Sequence, residues 1–137
     1  MKNTIYIAAL CIPSLGLAED NKAPAFDQRG AVLCSYAITL MVQNYASKCS
    51  DDAQASAWLL NVLDNHRDFV GRNGPASQLE LDAFEANNLP DVSEQKLCSD
   101  PGTKGFFENI VKNKDSFRAE IAKSLSVDRK PVWNPCL

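Results

Sequence analysis

Cysteine and histidine are the residue types in this 137-residue chain whose side chains most readily do chemistry, with five cysteines and one histidine present. Four cysteines come after a segment with the features of a secretion signal: Cys34, Cys49, Cys98 and Cys136. The fifth, Cys11, lies inside that segment and is expected to be removed with it. An even number of cysteines in a short exported chain usually forms disulfides, because compartments outside the cytosol are oxidising. The sequence therefore predicts two disulfides.

Residues 1–18 are expected to form a secretory signal peptide that is cleaved after Ala18. Lys2 supplies a short basic start, and an uncharged apolar stretch follows from residue 5 to residue 17. These roughly 13 residues are too few to cross a hydrocarbon core, which needs about 20. We therefore expect residues 19–137 to form a single disulfide-stabilised domain that is exported, either to a periplasm or to the medium.

Helix geometry limits how the four remaining cysteines pair. If Cys34 and Cys49 lie on one helix, the rise of about 1.5 Å per residue separates them by about 22 Å. A disulfide requires Cα atoms within about 7 Å of each other, so this pairing is excluded unless the helix breaks. Two pairing schemes remain open. We favour Cys49 with Cys98 and Cys34 with Cys136, which would attach a loop to the end of the first helix and the tail to its middle.

His66 is the only histidine, and Asp64 and Asp68 are close to it in the sequence. A histidine oriented by a neighbouring carboxylate can act as a general base in catalysis. On a helix, however, positions 64 and 68 point away from position 66, which shares its face with Val62 and Phe69. We therefore expect a packed histidine. A hydrolase built around His66 stays as an alternative, although the chain has no Gly-x-Ser-x-Gly nucleophile elbow.

Motifs for metals, nucleotides and other cofactors are missing from the sequence. The cysteine spacings match no zinc site, and neither a paired-histidine helix motif nor a calcium loop is present. The stretch 102–105 contains two glycines and a lysine but lacks the full P-loop spacing. We expect no metal and no cofactor.

Charge is distributed unevenly along the chain. Its net value is -3, which disfavours binding to nucleic acid because phosphates require a basic surface. Residues 19–100 carry 13 acidic and 6 basic side chains, whereas residues 101–137 carry 4 acidic and 7 basic ones. We therefore predict an interaction surface made of outward-facing acids and one tail aromatic: Glu80, Asp82, Glu85, Asp91, Glu94 and Trp133. An ordinary solvated face is the alternative.

Apolar spacing predicts an all-α fold, with a single small bundle of four to five helices and an extended C-terminal tail. The first helix lies within 30–47 and is apolar on most of its circumference, apart from a narrow polar stripe at Ser35, Thr39 and Gln43. Such a helix belongs at the centre of a bundle. A membrane span is the alternative, but the polar residues favour a buried helix, and no stable membrane insertion is expected after the signal is removed.

The remaining helices are expected to surround the first one, at about 50–70, 76–87 and after residue 100, with a loop over 89–99. Ser50 is the predicted cap of the second helix, and Asp100 with Pro101 is a typical N-cap followed by an N1 proline. Whether one or two helices follow Asp100 is open. Pro131 and Pro135 exclude a regular helix in the tail, which we expect to lie across the bundle.

Three functional hypotheses follow from these patterns. The preferred one is a non-enzymatic exported protein that binds another protein non-covalently, in a role like that of an inhibitor or an immunity protein. The second is a carrier for a small apolar ligand, with a pocket between the helices lined by Tyr36, Trp58, His66 and Phe107. The third is the hydrolase based on His66.

Overall fold

The computed structural model describes residues 30–74 and 77–133. These residues form six α-helices: α1 (Val32–Cys49), α2 (Ala53–Asn73), α3 (Gln78–Asn88), α4 (Glu94–Ser99), α5 (Pro101–Lys112) and α6 (Lys114–Leu125). Within these two ranges there is no β-strand, so the all-α prediction is confirmed. The predicted signal peptide and its cleavage site lie outside the described residues.

α1 is the central helix, as its apolar circumference predicts, and it contacts each of the other five helices. Val32, Tyr36 and Val42 on this helix have no solvent exposure at all. Within the part of the chain that the structure describes, no helix has the length and apolar character that crossing a membrane requires. The absence of charge from residue 32 to residue 47 is thus explained by the neighbours of α1 in the bundle, and the one charged residue of the helix, Lys48, is exposed in its last turn.

The core is divided into two clusters along α1. The cluster near the start of α1 packs side chains from α1, α2 and α3: Val32, Tyr36, Leu40, Leu63, Phe69, Val70 and Leu81. The cluster near its end adds α4 and α5, and it contains Val42, Tyr45, Ala46, Ala55, Leu59, Leu97, Phe107 and Ile110. α2 contributes to both clusters, so α1 and α2 together form the scaffold on which the shorter helices pack.

The start of α2 differs from the prediction. Its N-cap is Asp52, whose carboxylate accepts a hydrogen bond from the Ala55 backbone N–H at 2.8 Å. Ser50 instead accepts from the backbone N–H of Asp52 at 3.1 Å. The carboxylate has the better geometry for the cap, because an N-cap side chain bonds the N–H two or three residues ahead. At the other end α2 passes through Gly71 and ends at Asn73.

The segment 89–99 was predicted as a loop, which is wrong for its second half, because α4 occupies Glu94–Ser99. The Ser93 side chain caps this helix by accepting from the Lys96 backbone N–H at 3.3 Å. Leu97 is buried in the second core cluster. This additional short helix raises the number of helices in the described residues above the four to five that the sequence indicates.

The segment after Asp100 forms two helices. As predicted, Asp100 is the N-cap of α5 and Pro101 is its N1 residue, and the Asp100 carboxylate accepts from the Thr103 backbone N–H at 2.6 Å. Asn113 separates α5 from α6, with φ -104° and ψ 27°. Its side-chain amide donates to the Asn109 carbonyl at 2.9 Å. The open question about this segment is therefore settled in favour of two helices.

The favoured disulfide between Cys49 and Cys98 is formed, with the two Cα atoms 5.2 Å apart. It attaches α4 to the C-terminal end of α1. The second favoured bond involves Cys136, which lies outside the described residues, so the pairing of Cys34 with Cys136 stays a prediction. The backbone N–H of Leu33 donates to the Val132 carbonyl at 3.0 Å, which brings the tail beside the residue that precedes Cys34.

Arg129 holds the tail against the bundle, as expected for its described part. Its guanidinium donates to the Gly30 carbonyl at 2.9 Å and to the Ser124 hydroxyl at 3.1 Å. It also donates to the Ser124 carbonyl. The same group lies 5.5 Å from the centre of the Phe69 ring, within the range of a cation–π contact. One side chain thereby joins the start of α1, the end of α6 and the core.

Candidate functional site

Three helices meet at a polar cluster formed by Tyr36, Arg67 and Glu85. The Tyr36 hydroxyl of α1 donates to Glu85 Oε1 at 2.5 Å. Arg67 of α2 binds the same carboxylate through both oxygens, with Nε to Oε1 at 2.6 Å and Nη2 to Oε2 at 2.9 Å. Arg67 also pairs with Asp64 at 2.8 Å. This bidentate geometry is the strongest form of the arginine–carboxylate pair, so it fixes α3 to the scaffold.

The pKa values of the three groups shift as this arrangement requires. Burial and the adjacent Glu85 carboxylate raise the pKa of the Tyr36 hydroxyl well above its usual range. Hydrogen bonds from Arg67 lower the pKa of the Glu85 carboxyl against the opposing effect of burial. The hydrogen bond to Glu85 raises the pKa of Arg67 further. All three therefore keep their ordinary protonation states near neutral pH, and the cluster is structural.

Glu85 was predicted to be part of the outward acidic surface, and the structure corrects this assignment. Its side chain is only 18% exposed and its charge is compensated by Arg67. Arg67 lies 18 positions earlier in the chain on a different helix, so helical spacing within α3 could not reveal the pair. The Glu85 side chain therefore serves to hold α3 in place.

We expect Glu85→Gln to lower the free energy of unfolding by about 2 kcal/mol. Removing one partner of a buried pair costs about 3–5 kcal/mol, but the Arg67 side chain is 36% exposed and water screens part of the loss. Urea denaturation at neutral pH measures the change. Asp82→Asn on the same helix is the matched control, since Asp82 is exposed and in no ion pair among the described residues, and it should change stability by less than about 0.5 kcal/mol. Equal effects of the two substitutions would contradict the structural role of Glu85.

His66 is fully buried and hydrogen-bonded at both ring nitrogens. Nδ1 lies 2.9 Å from the Val62 carbonyl, which can only accept, so Nδ1 carries the proton. Nε2 then accepts from the Ser35 hydroxyl at 2.9 Å, and that hydroxyl shares its single proton with the Val32 carbonyl at 3.0 Å. Burial lowers the pKa of His66 to about 4. The ring is therefore neutral and closed to solvent, and this geometry gives no support to a hydrolase built on it.

Ser35 is the residue that sequence reasoning missed. It belongs to the polar stripe on α1, and α2 places its one inward polar side chain, His66, against that stripe. A narrow polar stripe on one helix and a single polar residue on the apolar face of its neighbour are a signal for such a pair, because buried polar groups need partners. The spacing along the chain gives no information about which of the stripe residues is the partner.

The four residues predicted to line a pocket do not surround a common cavity. Tyr36 stacks on His66 with the ring centroids 5.6 Å apart. Phe107 packs instead against Tyr45 at 5.2 Å, and Trp58 packs against Phe117 at 6.2 Å. The first pair lies at the start of α1 and the other two residues belong to the cluster near its end. The ligand-carrier hypothesis thus loses the pocket on which it rested.

An acidic surface remains on α3 and on the segment that leads into α4; we define it as Glu80, Asp82, Asp91 and Glu94. All four side chains are exposed, and among the described residues none of them is in an ion pair. The sequence from 73 to 95 contains no lysine, arginine or histidine. Leu79 stands beside these acids with its side chain 77% exposed. The surface therefore combines uncompensated negative charge with an apolar group.

Trp133 adjoins this acidic surface. Its ring meets Phe84 of α3 edge-on, with the centroids 5.9 Å apart, and it remains 42% exposed. Phe84 and Glu80 also line a small cleft of about 210 Å³, which Lys130 and Pro131 of the tail close on the other side. The two parts of the predicted interaction surface thus lie next to each other.

The described residues contain no group of three or more histidine, cysteine, aspartate or glutamate side chains placed to hold a metal ion. No protein-family model, no curated protein and no solved structure matches the chain. The fold and the surface together describe a small all-α protein. One of its short helices, α4, is attached by a disulfide, and one of its faces carries acidic side chains that form no ion pair within the described residues. Its function is therefore inferred from its own residues.

Proposed function

We propose that this chain is an exported, non-enzymatic protein that binds another protein non-covalently through the acidic surface. The observation that carries the proposal is the unpaired negative charge: the four exposed acids lie in residues 73–95, which contain no basic residue, and among the described residues they form no ion pair. The fifth acid of that stretch, Glu85, pairs with Arg67 and holds α3. A fixed surface loses little conformational entropy on binding, so its contacts contribute more to affinity.

The charge defines the chemistry of the partner. A surface rich in lysine or arginine would be attracted to the four carboxylates, which raises the rate of encounter and makes it sensitive to salt. Leu79 and Trp133 supply exposed apolar groups beside the acids, and aromatic residues are frequent anchors at protein interfaces. We therefore infer that the contact surface of the partner is basic and has apolar residues at its centre.

Export is supported by two features that are independent of each other. The N-terminal sequence has the organisation of a secretion signal. The disulfide between Cys49 and Cys98 requires an oxidising compartment to persist. A periplasmic or secreted location follows as a proposal, and it defines where the partner is to be sought.

We expect Asp82→Lys combined with Asp91→Lys to weaken partner binding at least ten-fold. The two substitutions replace attraction by repulsion without touching a helix cap. The measurement is quantitative capture from the envelope and secreted fractions of the source cells on immobilised wild-type and variant protein, at low and high salt. Glu108→Lys with Glu120→Lys makes the same change of charge at exposed positions of α5 and α6, with loss of only the exposed pair between Lys104 and Glu108. It should leave binding within about two-fold, a difference of less than about 0.5 kcal/mol.

Circular dichroism should show all three proteins folded. Two outcomes would remove the acidic surface from the proposal. One is equal capture by the wild type and by the variant with lysine at positions 82 and 91. The other is an equal loss of capture in the control variant with lysine at positions 108 and 120. Capture that does not weaken with salt would contradict the electrostatic part of it.

A further inference from the structure

The small cleft between α3 and the tail has apolar walls. Helices α1, α2 and α3 and the tail all contribute to it, and the described residues that supply its apolar side chains are Leu33, Val70, Leu81, Phe84 and Pro131. Val70 and Leu81 are buried, whereas Leu33, Phe84 and Pro131 are partly exposed. Three of the five side chains therefore present carbon surface to solvent inside the cleft.

The volume of the cleft suits one inserted side chain. It measures about 210 Å³, which is less than the roughly 300–1,000 Å³ of pockets that enclose a drug-sized ligand. At protein interfaces a few side chains seated in such desolvated pockets contribute most of the binding energy. A side chain inserted here loses water on several sides at once, because three helices and the tail surround it.

Two exposed apolar residues extend this surface outside the cleft. Trp133 meets the wall residue Phe84 edge-on, and Leu79 precedes the wall residue Glu80 in the sequence. Both Trp133 and Leu79 are exposed. Exposed apolar residues grouped beside polar ones are typical of a surface that another protein covers. A partner that fills the cleft would therefore bury these two side chains as well.

Glu80 supplies a fixed negative charge at the cleft. Its Oε2 accepts hydrogen bonds from the Ser77 backbone N–H at 2.6 Å and from the Ser77 hydroxyl at 2.9 Å. These bonds lower the pKa of the Glu80 carboxyl, so the group is ionised near neutral pH. Within the described residues Oε1 accepts no hydrogen bond. The carboxylate is thus held in one position with one oxygen available to a cation.

Lys130 lines the cleft on the tail side and gives the site a direction. It is exposed and forms no ion pair among the described residues. Its ammonium group repels a cation that approaches from the tail, whereas Glu80 attracts one on the side of α3. A basic group that accompanies the inserted side chain is therefore directed to α3, where Asp82 is also exposed.

We propose that the basic partner inserts one aliphatic side chain into the cleft between α3 and the tail and places a lysine or arginine of the same segment against Glu80. This inference rests on the proposed function, because Glu80 belongs to the acidic surface. Negative charge brings basic segments to α3, and the cleft then selects those that carry an aliphatic side chain next to the cation.

The test is a titration of ¹⁵N-labelled protein with two blocked peptides of equal charge, acetyl-Lys-Lys-Leu-Lys-Lys-amide and acetyl-Lys-Lys-Ala-Lys-Lys-amide, followed by two-dimensional NMR. The leucine peptide should bind about ten-fold more tightly, because each fully buried methylene contributes about four-fold and the cleft encloses the leucine only in part. The indole N–H signal of Trp133 should shift and saturate with the leucine peptide. The indole signal of Trp58, which packs against Phe117, should stay in place.

Failure of this inference and failure of the proposed function give different results. Equal affinity of the two peptides, weakened by salt in both cases, would contradict the inserted side chain while leaving the acidic surface in use. A leucine preference with shifts located away from residues 79–84 and 130–133 would contradict the cleft as its site. No saturable shift with either peptide at millimolar concentration would contradict both proposals.

Glu80→Gln tests the position of the cation. Glutamine still accepts hydrogen bonds from Ser77, so the capping box of α3 is kept while the charge is lost. Binding of the leucine peptide should weaken about three-fold, as expected for one exposed ion pair. The matched control Glu94→Gln removes an exposed charge from the first turn of α4 and should change binding by less than about 1.5-fold.

Lys130→Gln tests the direction of the segment. It removes the repelling charge on the tail side, so the variant should bind the leucine peptide at least as tightly as the wild type does. Weaker binding by this variant, or equal effects of the two glutamate substitutions, would contradict the placement of the cation against Glu80.

Discussion

Replacing Cys49 and Cys98 together by serine is expected to lower the free energy of unfolding by about 4 kcal/mol. The bond joins positions 49 residues apart in the sequence, and the chain-entropy model assigns about 4 kcal/mol to closing a loop of this length. α4 has only 6 residues, too few to form a helix by itself in water. Its attachment to α1 therefore depends on this bond and on the burial of Leu97.

Guanidinium denaturation of the oxidised proteins, monitored by circular dichroism, measures this difference. Ser50→Ala with Ser99→Ala is the matched control, because it alters the residues next to the two cysteines and leaves the bond intact. It should cost about 1 kcal/mol or less in total. A double cysteine variant that is as stable as this control would show that the bond does not restrict the unfolded chain.

Lowering the pH from 6.5 to 5 is expected to reduce the free energy of unfolding by about 2 kcal/mol through His66. Burial lowers the pKa of His66 in the folded protein to about 4, from 6.5. Between these two values the unfolded chain binds the proton and the folded protein does not, so stability falls as the pH falls, by about 1.4 kcal/mol per pH unit. The full contribution is present above pH 6.5, and the decline levels off below pH 4.

His66→Gln is the control for this pH dependence, since glutamine does not titrate and can still donate to the Val62 carbonyl and accept from Ser35. Its stability should be nearly constant from pH 6.5 to 5, whatever its absolute value. The carboxyl of Glu85, whose pKa is lowered by Arg67, loses its stabilising effect only below its unfolded value of about 4.3. A wild-type protein whose stability is flat over the same interval would show that His66 is accessible to protons.

Local patterns were sufficient for much of the fold. The mostly apolar circumference of α1 indicates its central position, and the pair Asp100 and Pro101 indicates the start of α5, because each signal is contained within one continuous stretch of sequence. Helix geometry excluded a bond between Cys34 and Cys49 and left two pairing schemes open, of which the one with Cys49 and Cys98 was favoured. In each case the physical constraint acts within a single element.

α4 shows where local reasoning fails. Glu94 to Leu97 are good helix formers and Ser93 caps them, but six residues are too few to show an apolar period or to form a helix alone. The burial of Leu97 and the bond from Cys98 to α1 hold this helix in place. Glu85 and Ser35 are similar cases, since their partners Arg67 and His66 lie on other helices. The roles of these residues are determined by contacts between helices. The spacing of residues within one helix does not indicate which residue of another helix is its partner.

The contact between Arg129 and the Gly30 carbonyl has a topological consequence. The described tail runs beside the start of α1, because the Arg129 side chain reaches the Gly30 carbonyl at 2.9 Å and the Leu33 backbone N–H donates to the Val132 carbonyl at 3.0 Å. A short connector from the end of the described tail to Gly30 would close the body into a ring and keep the tail contacts of Val132 and Trp133, and the exposed residues 90–93 offer a place to open it again. Circular permutation at that place preserves every helix and both core clusters, so the order of the helices along the chain can be changed without changing their packing.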